Sequence, residues 1–239
     1  MAQTLDRPPR ARRLRGAPRA LLAWIGSAPG TYLWLLLLAV TSLAVARMDQ
    51  RTLDWFLAAR STNLEHLRSR PVHALVASAL WTGTSSWPLY AVLFTLFHAN
   101  AERWLGTARW FVVAATAHVL ATLVSEGVVA WGIVRGTLQR SMAGTVDVGV
   151  SYALAGVAAV LTYRLAGGWR WLYGAGVVVF HLVPLVVSHT FTDLGHISAA
   201  LIGLAFFPFA HGRPVWDPGR ALRRRRPRRP RGRPRRSGA

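Results

Sequence analysis

The sequence predicts an all-α membrane protein with six transmembrane helices between two disordered, Arg-rich termini. The chain has 239 residues and is 52% hydrophobic, yet it carries a formal net charge of +20. Its 29 basic residues are all Arg, against nine acidic residues, so charge and apolar character must lie in different parts of the chain. The 11 Trp residues are also typical of a membrane protein, because Trp concentrates at the membrane–water interface.

The charge is concentrated at the two ends of the chain. Residues 1–20 have a net charge of +5 and residues 211–239 have +11, which leaves +4 for everything between them. We expect residues 211–239 to be a disordered Arg/Pro-rich tail, because they repel one another and have almost nothing apolar to bury. Residues 1–30 are expected to be basic and mostly disordered, and residues 31–210 to form the membrane domain. The absence of Cys excludes a disulfide framework, a thiolate metal site and a Cys nucleophile.

Six apolar segments follow one another through the middle of the chain. A helix needs about 20 residues, with a range of roughly 17–25, to cross a bilayer. The first segment is Leu-rich and uncharged, and the third is the longest. A polar loop and a short apolar stretch separate the first segment from the second. The six segments are residues 31–46, 84–101, 110–134, 146–163, 171–187 and 190–209. An alternative interpretation takes residues 1–46 as a signal peptide, because Ala44-Val45-Ala46 resembles a cleavage site.

The topology follows from the number of segments and from the position of the arginines. Six crossings place both termini on one side, and Arg-rich flanks are retained in the cytoplasm. We therefore predict a multi-pass protein of the plasma membrane with both termini cytoplasmic. Anionic lipid headgroups are the expected partners of the Arg-rich tails, at about 1 kcal/mol for each Arg near the surface. Nucleic acid, which a flexible Arg run also binds, is not the expected partner.

Ser151 and His196 are the candidate catalytic pair. An ionisable side chain within hydrocarbon costs about 2.5–3.5 kcal/mol, so such residues are candidates for function. Counted from the same membrane face at 1.5 Å per residue, Ser151 lies about 8 Å deep and His196 about 9 Å. Matched depth suits a nucleophile and its base, and small neighbours would let the two helices pack closely. These helix-packing residues are Gly156, Ala199 and Gly203.

The other polar residues of the spans have structural interpretations. Ser151 and His196 themselves also have one, in which Ser151 bonds to its own helix and His196 makes an interhelical hydrogen bond. His118 and His181 are interpreted as structural hydrogen-bonding residues nearer mid-membrane. Glu126 is expected to be hydrated or paired with Arg135 or Arg140. Asp193 is expected at a helix N-terminus or in a loop, while His98 and Asp147 lie at span ends.

Three motifs follow one another along the chain. They are Glu102-Arg103-Trp104-Leu105-Gly106 after the second span, Gly149-Val150-Ser151 in the fourth, and Gly195-His196 with Gly203 seven residues later in the sixth. Together and in this order, they resemble the rhomboid family of intramembrane serine proteases. The resemblance covers about residues 71–210. It implies a Ser151–His196 dyad that cleaves transmembrane segments near the outer face, without a cofactor or metal. It also implies a structural loop at Glu102 and Gly106.

The chain departs from the family pattern around the nucleophile. Rhomboids usually have Gly after the catalytic Ser, where this chain has Tyr152, whose ring would crowd the space over the nucleophile. They generally place oxyanion-binding His and Asn on the second helix, where counting back from Glu102 gives Ser86 and Tyr90. Ser86, Tyr90 and Gly149 are therefore the candidate oxyanion or support residues. A second register, aligned on Tyr152, would put Val148 at the nucleophile position and leave the chain inactive.

Two function hypotheses follow from these residues. The first is an intramembrane serine protease that uses Ser151 and His196. The second is a catalytically silent rhomboid-like protein that binds transmembrane helices and affects their folding, trafficking or turnover. Transmembrane proteins are the expected substrates or clients in both cases. The first hypothesis requires Ser151 and His196 within about 3–4 Å of each other, whereas a separation beyond about 7 Å would favour the second.

Overall fold

The computed structural model describes residues 19–82, 87–147 and 149–220. Within these residues the regular elements are helices, with one isolated backbone bridge between Leu165 and Trp216. The predicted disorder of the extreme termini, the candidate residue Ser86 and the alternative nucleophile position Val148 lie outside the described residues.

The first half of the chain contains one long helix, a set of short helices and a composite helix. Helix α1 (Arg19–Gly26) leads with a sharp bend of 99° into α2 (Pro29–Val45). Three short helices follow, and a second apolar helix then continues through a π-helical turn. These elements are α3 (Gln50–Ala58), α4 (Leu64–Ser69), α5 (Pro71–Ser78), α6 (Trp87–Leu93), the π-helical turn Phe94–His98 and α7 (Ala99–Leu105).

The second half of the chain supplies the helices that carry the site. Helix α8 (Thr107–Val134) is the longest, and a 3₁₀ turn at Arg140–Gly144 precedes α9 (Val150–Val160). A further 3₁₀ turn, Leu161–Arg164, extends α9 by one turn. The remaining helices are α10 (Gly168–Ser188), α11 (Phe191–Ala205) and the short α12 (Phe207–Ala210).

Apolar helices with apolar outer faces make this an all-α membrane protein. By length and composition, α8 and α10 could each cross a membrane, and the bent pair α1–α2 is a third candidate span. The combined segment Val150–Arg164 and helix α11 are shorter apolar helices. No side chain of α10 is buried, and large apolar residues are exposed along it, as expected for a helix in contact with lipid. The fold class is confirmed, and the number of crossings stays a prediction.

Helices α8, α9 and α11 form the centre of the bundle through very small residues. A Cβ atom added to Gly203 of α11 would collide with the backbone of Gly156 in α9. A Cβ added to Gly156 would collide with the side chain of Ala117 in α8 and come within 3.2 Å of the Ala199 carbonyl oxygen. The predicted packing residues Gly156, Ala199 and Gly203 thus lie where the helix backbones approach most closely.

Glu102 holds the start of α2 against the loop between α7 and α8. Its carboxylate accepts hydrogen bonds from the backbone N–H groups of Gly30 and Thr31, at 2.9 and 2.7 Å, and from the Thr107 hydroxyl at 2.8 Å. A buried acceptor at a helix N-terminus satisfies N–H groups that have no partner within the helix. Gly106 ends α7 with φ of 87°, a conformation that favours glycine.

Residues next to both described chain ends are packed against the bundle. Helix α1 lies within the segment 1–30. Its Trp24 packs against α7, because the guanidinium of Arg103 lies over the Trp24 ring, 4.5 Å from the ring centroid. At the other end, the Trp216 backbone bonds to Arg164 and Ala166, and the Trp104 indole donates to the Pro214 carbonyl. Residues 19–30 and 211–220 thus have defined contacts with the bundle, and the disorder predicted for the rest of residues 1–30 and 211–239 lies outside the described residues.

Candidate active site

The start of α9 and the first half of α11 bring Ser151 and His196 together. Nε2 of His196 lies 2.9 Å from Oγ of Ser151. Ser151 is the second residue of α9 and His196 the sixth of α11, and both side chains are half-buried. The separation is within the reach that a base needs to remove the hydroxyl proton, as the first hypothesis requires.

A contact on the opposite side of the His196 ring favours one tautomer of the neutral imidazole. The ring also interacts with the backbone of Thr192, four residues earlier on the same helix. A backbone carbonyl can only accept a hydrogen bond, so we assign the ring proton to the nitrogen facing Thr192, Nδ1. In that neutral tautomer Nε2 carries no proton and accepts a hydrogen bond from the Ser151 hydroxyl.

Tyr152 lies beside the base and not over the nucleophile. The side chain is fully buried, and its ring centroid is 5.0 Å from that of His196, with the two planes inclined at 73°. Its hydroxyl donates to Oδ2 of Asp147 at 3.0 Å. A Cβ on Gly195 would come within 2.5 Å of the Tyr152 ring, so glycine makes the space that this ring occupies. The expectation that Tyr152 crowds the nucleophile is therefore wrong.

Asp147 is held by the polar segment that follows α3. The backbone N–H of Asp147 donates to Oγ of Ser61 at 2.7 Å, and its carbonyl accepts from the backbone N–H of Thr62 at 3.1 Å. The Ser61 hydroxyl in turn donates to the carbonyl of Thr145 at 3.3 Å. This clamp fixes the residues before α9, and through Asp147 it fixes the hydroxyl of Tyr152.

His181 of α10 also belongs to this site, which the sequence analysis did not find. Its ring centroid is 5.7 Å from that of His196, and the two planes are within 13° of parallel. His181 is thus a neighbour of the dyad and not an isolated residue near mid-membrane. A signal was present in the sequence, because His181 and His196 each lie six residues from the facing ends of the predicted segments 171–187 and 190–209.

The two described support residues differ in what they contact. The Tyr90 phenol interacts with the Ser151 side chain, so α6 contributes a polar group at the nucleophile. The carbonyl of Gly149 lies 3.1 Å from Nδ1 of His118, and a Cβ on Gly149 would collide with the His118 ring. Gly149 therefore positions the start of α9 against α8, whereas Tyr90 faces the nucleophile itself.

A family model described as "rhomboid-like protein" matches residues 23–215. The matched region is most of the chain and contains α2 to α12 with both residues of the Ser151–His196 contact. The chain belongs to the rhomboid-like family. The search of curated proteins and the search of solved structures each returned no match.

In this rhomboid-like chain, His118 and Asp193 have the structural roles predicted for them. The ring nitrogens of His118 face the carbonyls of Gly149 and Leu75, at 3.1 and 2.9 Å, so the side chain ties α8 to α9 and α5. Asp193 belongs to the N-terminal cap of α11, where its backbone N–H donates to the Thr190 hydroxyl at 3.1 Å.

The Glu126 carboxyl is buried, which the sequence did not predict. It is 3% exposed and lies next to the Leu64 backbone and Asp147, whereas Arg135 and Arg140 are exposed. The prediction of a hydrated or Arg-paired carboxyl is wrong because the segment around α4 covers this part of α8.

Across the described residues, no group of three or more His, Cys, Asp and Glu side chains could hold a metal ion.

Proposed function

We propose that this rhomboid-like protein is an intramembrane serine protease that cleaves transmembrane segments with a Ser151–His196 dyad. The 2.9 Å contact between Oγ of Ser151 and Nε2 of His196 carries the proposal. The contact of the other ring nitrogen with the Thr192 backbone supports it, because this contact leaves Nε2 free to act as a base.

The proposed reaction uses the dyad twice. Oγ of Ser151 attacks the scissile carbonyl carbon while Nε2 of His196 takes its proton. The tetrahedral intermediate breaks the C–N bond, and His196 gives the proton to the departing amine. Water then attacks the acyl–Ser151 ester with His196 again as base, and the ester C–O bond breaks as Ser151 regains its proton. The products are a new carboxyl terminus and a new amino terminus.

Two groups support the negative charge on the carbonyl oxygen during these steps. Ser151 is the second residue of α9, so its backbone N–H has no acceptor within the helix and lies at the positive end of the helix dipole. The Tyr90 phenol at Ser151 is the second donor, in the place where rhomboids generally have His and Asn. Preorganised donors of this kind contribute about 10²–10³ in rate.

Replacing Tyr90 with Phe is expected to lower the cleavage rate by about 10²–10³-fold with little effect on folding, because it removes one oxyanion donor and keeps the ring. The measurement is cleavage of a transmembrane reporter by the two proteins at equal concentration in vesicles. Tyr32→Phe serves as the control, because the phenol that it removes contacts Arg103 and not the dyad. A Tyr90→Phe protein that cleaves like the wild type would exclude Tyr90 as a donor.

We also propose six crossings, formed by α2, the composite helix from α6 to α7, α8, α9 with its 3₁₀ turn, α10 and α11. Both termini would then lie in the cytoplasm and the dyad near the outer face of the plasma membrane. The Arg-rich tails would lie against anionic lipid headgroups on the inner face.

The absence of Cys makes this topology directly testable. Arg51→Cys lies in the exposed segment after α2, and His211→Cys lies after α12. We expect a membrane-impermeant maleimide to label Arg51→Cys in intact cells, and His211→Cys only after the membrane is permeabilised. The reverse pattern would contradict the orientation, and labelling of both in intact cells would contradict the even number of crossings.

The full chain in lipid vesicles, mixed with a single-pass reporter, tests the protease proposal. The reporter should carry Gly residues near the outer end of its transmembrane segment, because glycine lowers helix stability by about 1 kcal/mol per residue. We expect cleavage within that segment. A reporter that stays intact, together with wild-type protein that is never labelled by a fluorophosphonate, would contradict the proposal.

A second candidate function is a catalytically silent protein that binds transmembrane helices. Tyr90 in place of a family oxyanion residue is the observation that favours it. Such a protein would bind the same reporter without cleaving it and would leave a fluorophosphonate unreacted.

A further inference from the structure

His181 is the one imidazole on α10, and its ring packs against that of His196, whereas many large apolar side chains of this helix are exposed. No residue of α10 is buried, yet the His181 ring lies nearly parallel to that of His196, with 5.7 Å between centroids. An ionisable side chain is costly on a lipid-facing helix, so its position beside the reacting groups calls for a functional explanation.

The polar atoms of His181 are available to another molecule. Within residues 19–82, 87–147 and 149–220, the recorded contacts of this ring are with other rings, and no protein hydrogen bond is formed. Its ring nitrogens are also not among the fully buried polar atoms that lack a partner. The ring is therefore packed through its faces while its nitrogen atoms stay accessible.

A bound transmembrane segment would need such a group. To reach Ser151, the segment must unwind locally, and each peptide bond that leaves the helix exposes an N–H and a C=O. Within the membrane these groups cost several kcal/mol unless the protein supplies partners. A neutral imidazole offers one N–H donor and one nitrogen acceptor, which match the two groups of a peptide bond.

We propose that His181 is a substrate-binding residue that hydrogen-bonds the unwound backbone of the transmembrane segment beside the scissile bond. This inference rests on the proposed protease function and names a substrate contact of the same site. The contact comes from α10, through a ring stacked on that of His196, whereas the α6 group contacts Ser151. It acts on the peptide and not on the chemistry of Ser151.

Three variants and two readouts test this role. His181→Phe keeps the stacked ring and removes both nitrogens, whereas His181→Gln keeps a donor and an acceptor and removes the ring. His73→Phe makes the same change at an exposed His of α5 and is the control. Each protein is assayed for cleavage of the transmembrane reporter and for the rate of labelling by a small fluorophosphonate, which has no peptide backbone to bind.

We expect His181→Phe to cleave the reporter about tenfold more slowly, the effect of losing one hydrogen bond. Its fluorophosphonate labelling should match the wild type, and His181→Gln should keep most of the cleavage activity. Unchanged cleavage by His181→Phe would overturn the inference. Equal losses in cleavage and labelling would overturn it too, because they would show that the ring positions His196. Wild-type protein that never labels would overturn the proposed function together with this inference.

Discussion

Replacing Ser151 with Ala is expected to abolish cleavage of a transmembrane reporter, with a loss of about 10⁶-fold that takes the rate below detection. The hydroxyl is the attacking group in the proposed reaction, and no second hydroxyl is recorded in contact with Nε2 of His196 among the described residues. The loss should appear in the cleavage rate and not in the stability of the protein, because Ser151 is half-buried and alanine is a good helix former.

The dyad also predicts how a second substitution behaves. His196→Ala should cause a loss of similar size, and the double variant should be no worse than either single variant, because the two side chains act as one unit. Ser198→Ala, two residues beyond His196, is the matched control and should cleave like the wild type. Ser151→Ala protein that still cleaves the reporter would place the nucleophile elsewhere.

Replacing Gly203 with Ala is expected to destabilise the protein by about 3 kcal/mol or more, the upper part of the range for overpacked cores. The added methyl group would meet the backbone of Gly156, which cannot move aside as a flexible side chain can. Relief requires α11 to move away from α9. Gly203 and His196 lie on α11, and Gly156 and Ser151 lie on α9, so the same movement would lengthen the contact of the dyad.

Thermal unfolding in detergent and the labelling rate together measure this effect. We expect a lower melting temperature and slower fluorophosphonate labelling for Gly203→Ala. Gly127→Ala is the control, because a Cβ at Gly127 of α8 has nothing within 4 Å. That variant should be as stable as the wild type or slightly more so, since alanine favours a helix over glycine by about 1 kcal/mol. Equal melting temperatures for the two variants would contradict the close α9–α11 packing.

The apolar segments and the pairing of the dyad could be predicted because they depend on local sequence patterns. Hydrophobic length locates helices, and a constant rise per residue converts position into depth, so Ser151 and His196 could be matched before any contact was known. The small residues beside them predicted a close approach of two helices, and the structure has that approach at Gly156 and Gly203.

The errors came from contacts that join distant parts of the chain. The sequence predicted a hydrated Glu126, but the segment around Leu64, more than 60 positions earlier, covers its carboxyl. The sequence also predicted that Tyr152 obstructs the nucleophile. The direction of this side chain depends on the helices that surround it, which local sequence does not give. Glycine at position 195 and the carboxyl of Asp147 direct its ring away from Ser151. His181 matches His196 in depth, and this match in the sequence indicates that the two rings are neighbours.

The most direct test of the central claim is the site of fluorophosphonate attachment in the wild-type protein. Full-length protein in lipid vesicles would be treated with the probe, digested and mapped by peptide mass spectrometry. The Ser151–His196 contact predicts a single adduct on Oγ of Ser151, absent from His196→Ala protein. Wild-type protein without an adduct, or with its adduct on another residue, would contradict the assignment of Ser151 as the nucleophile.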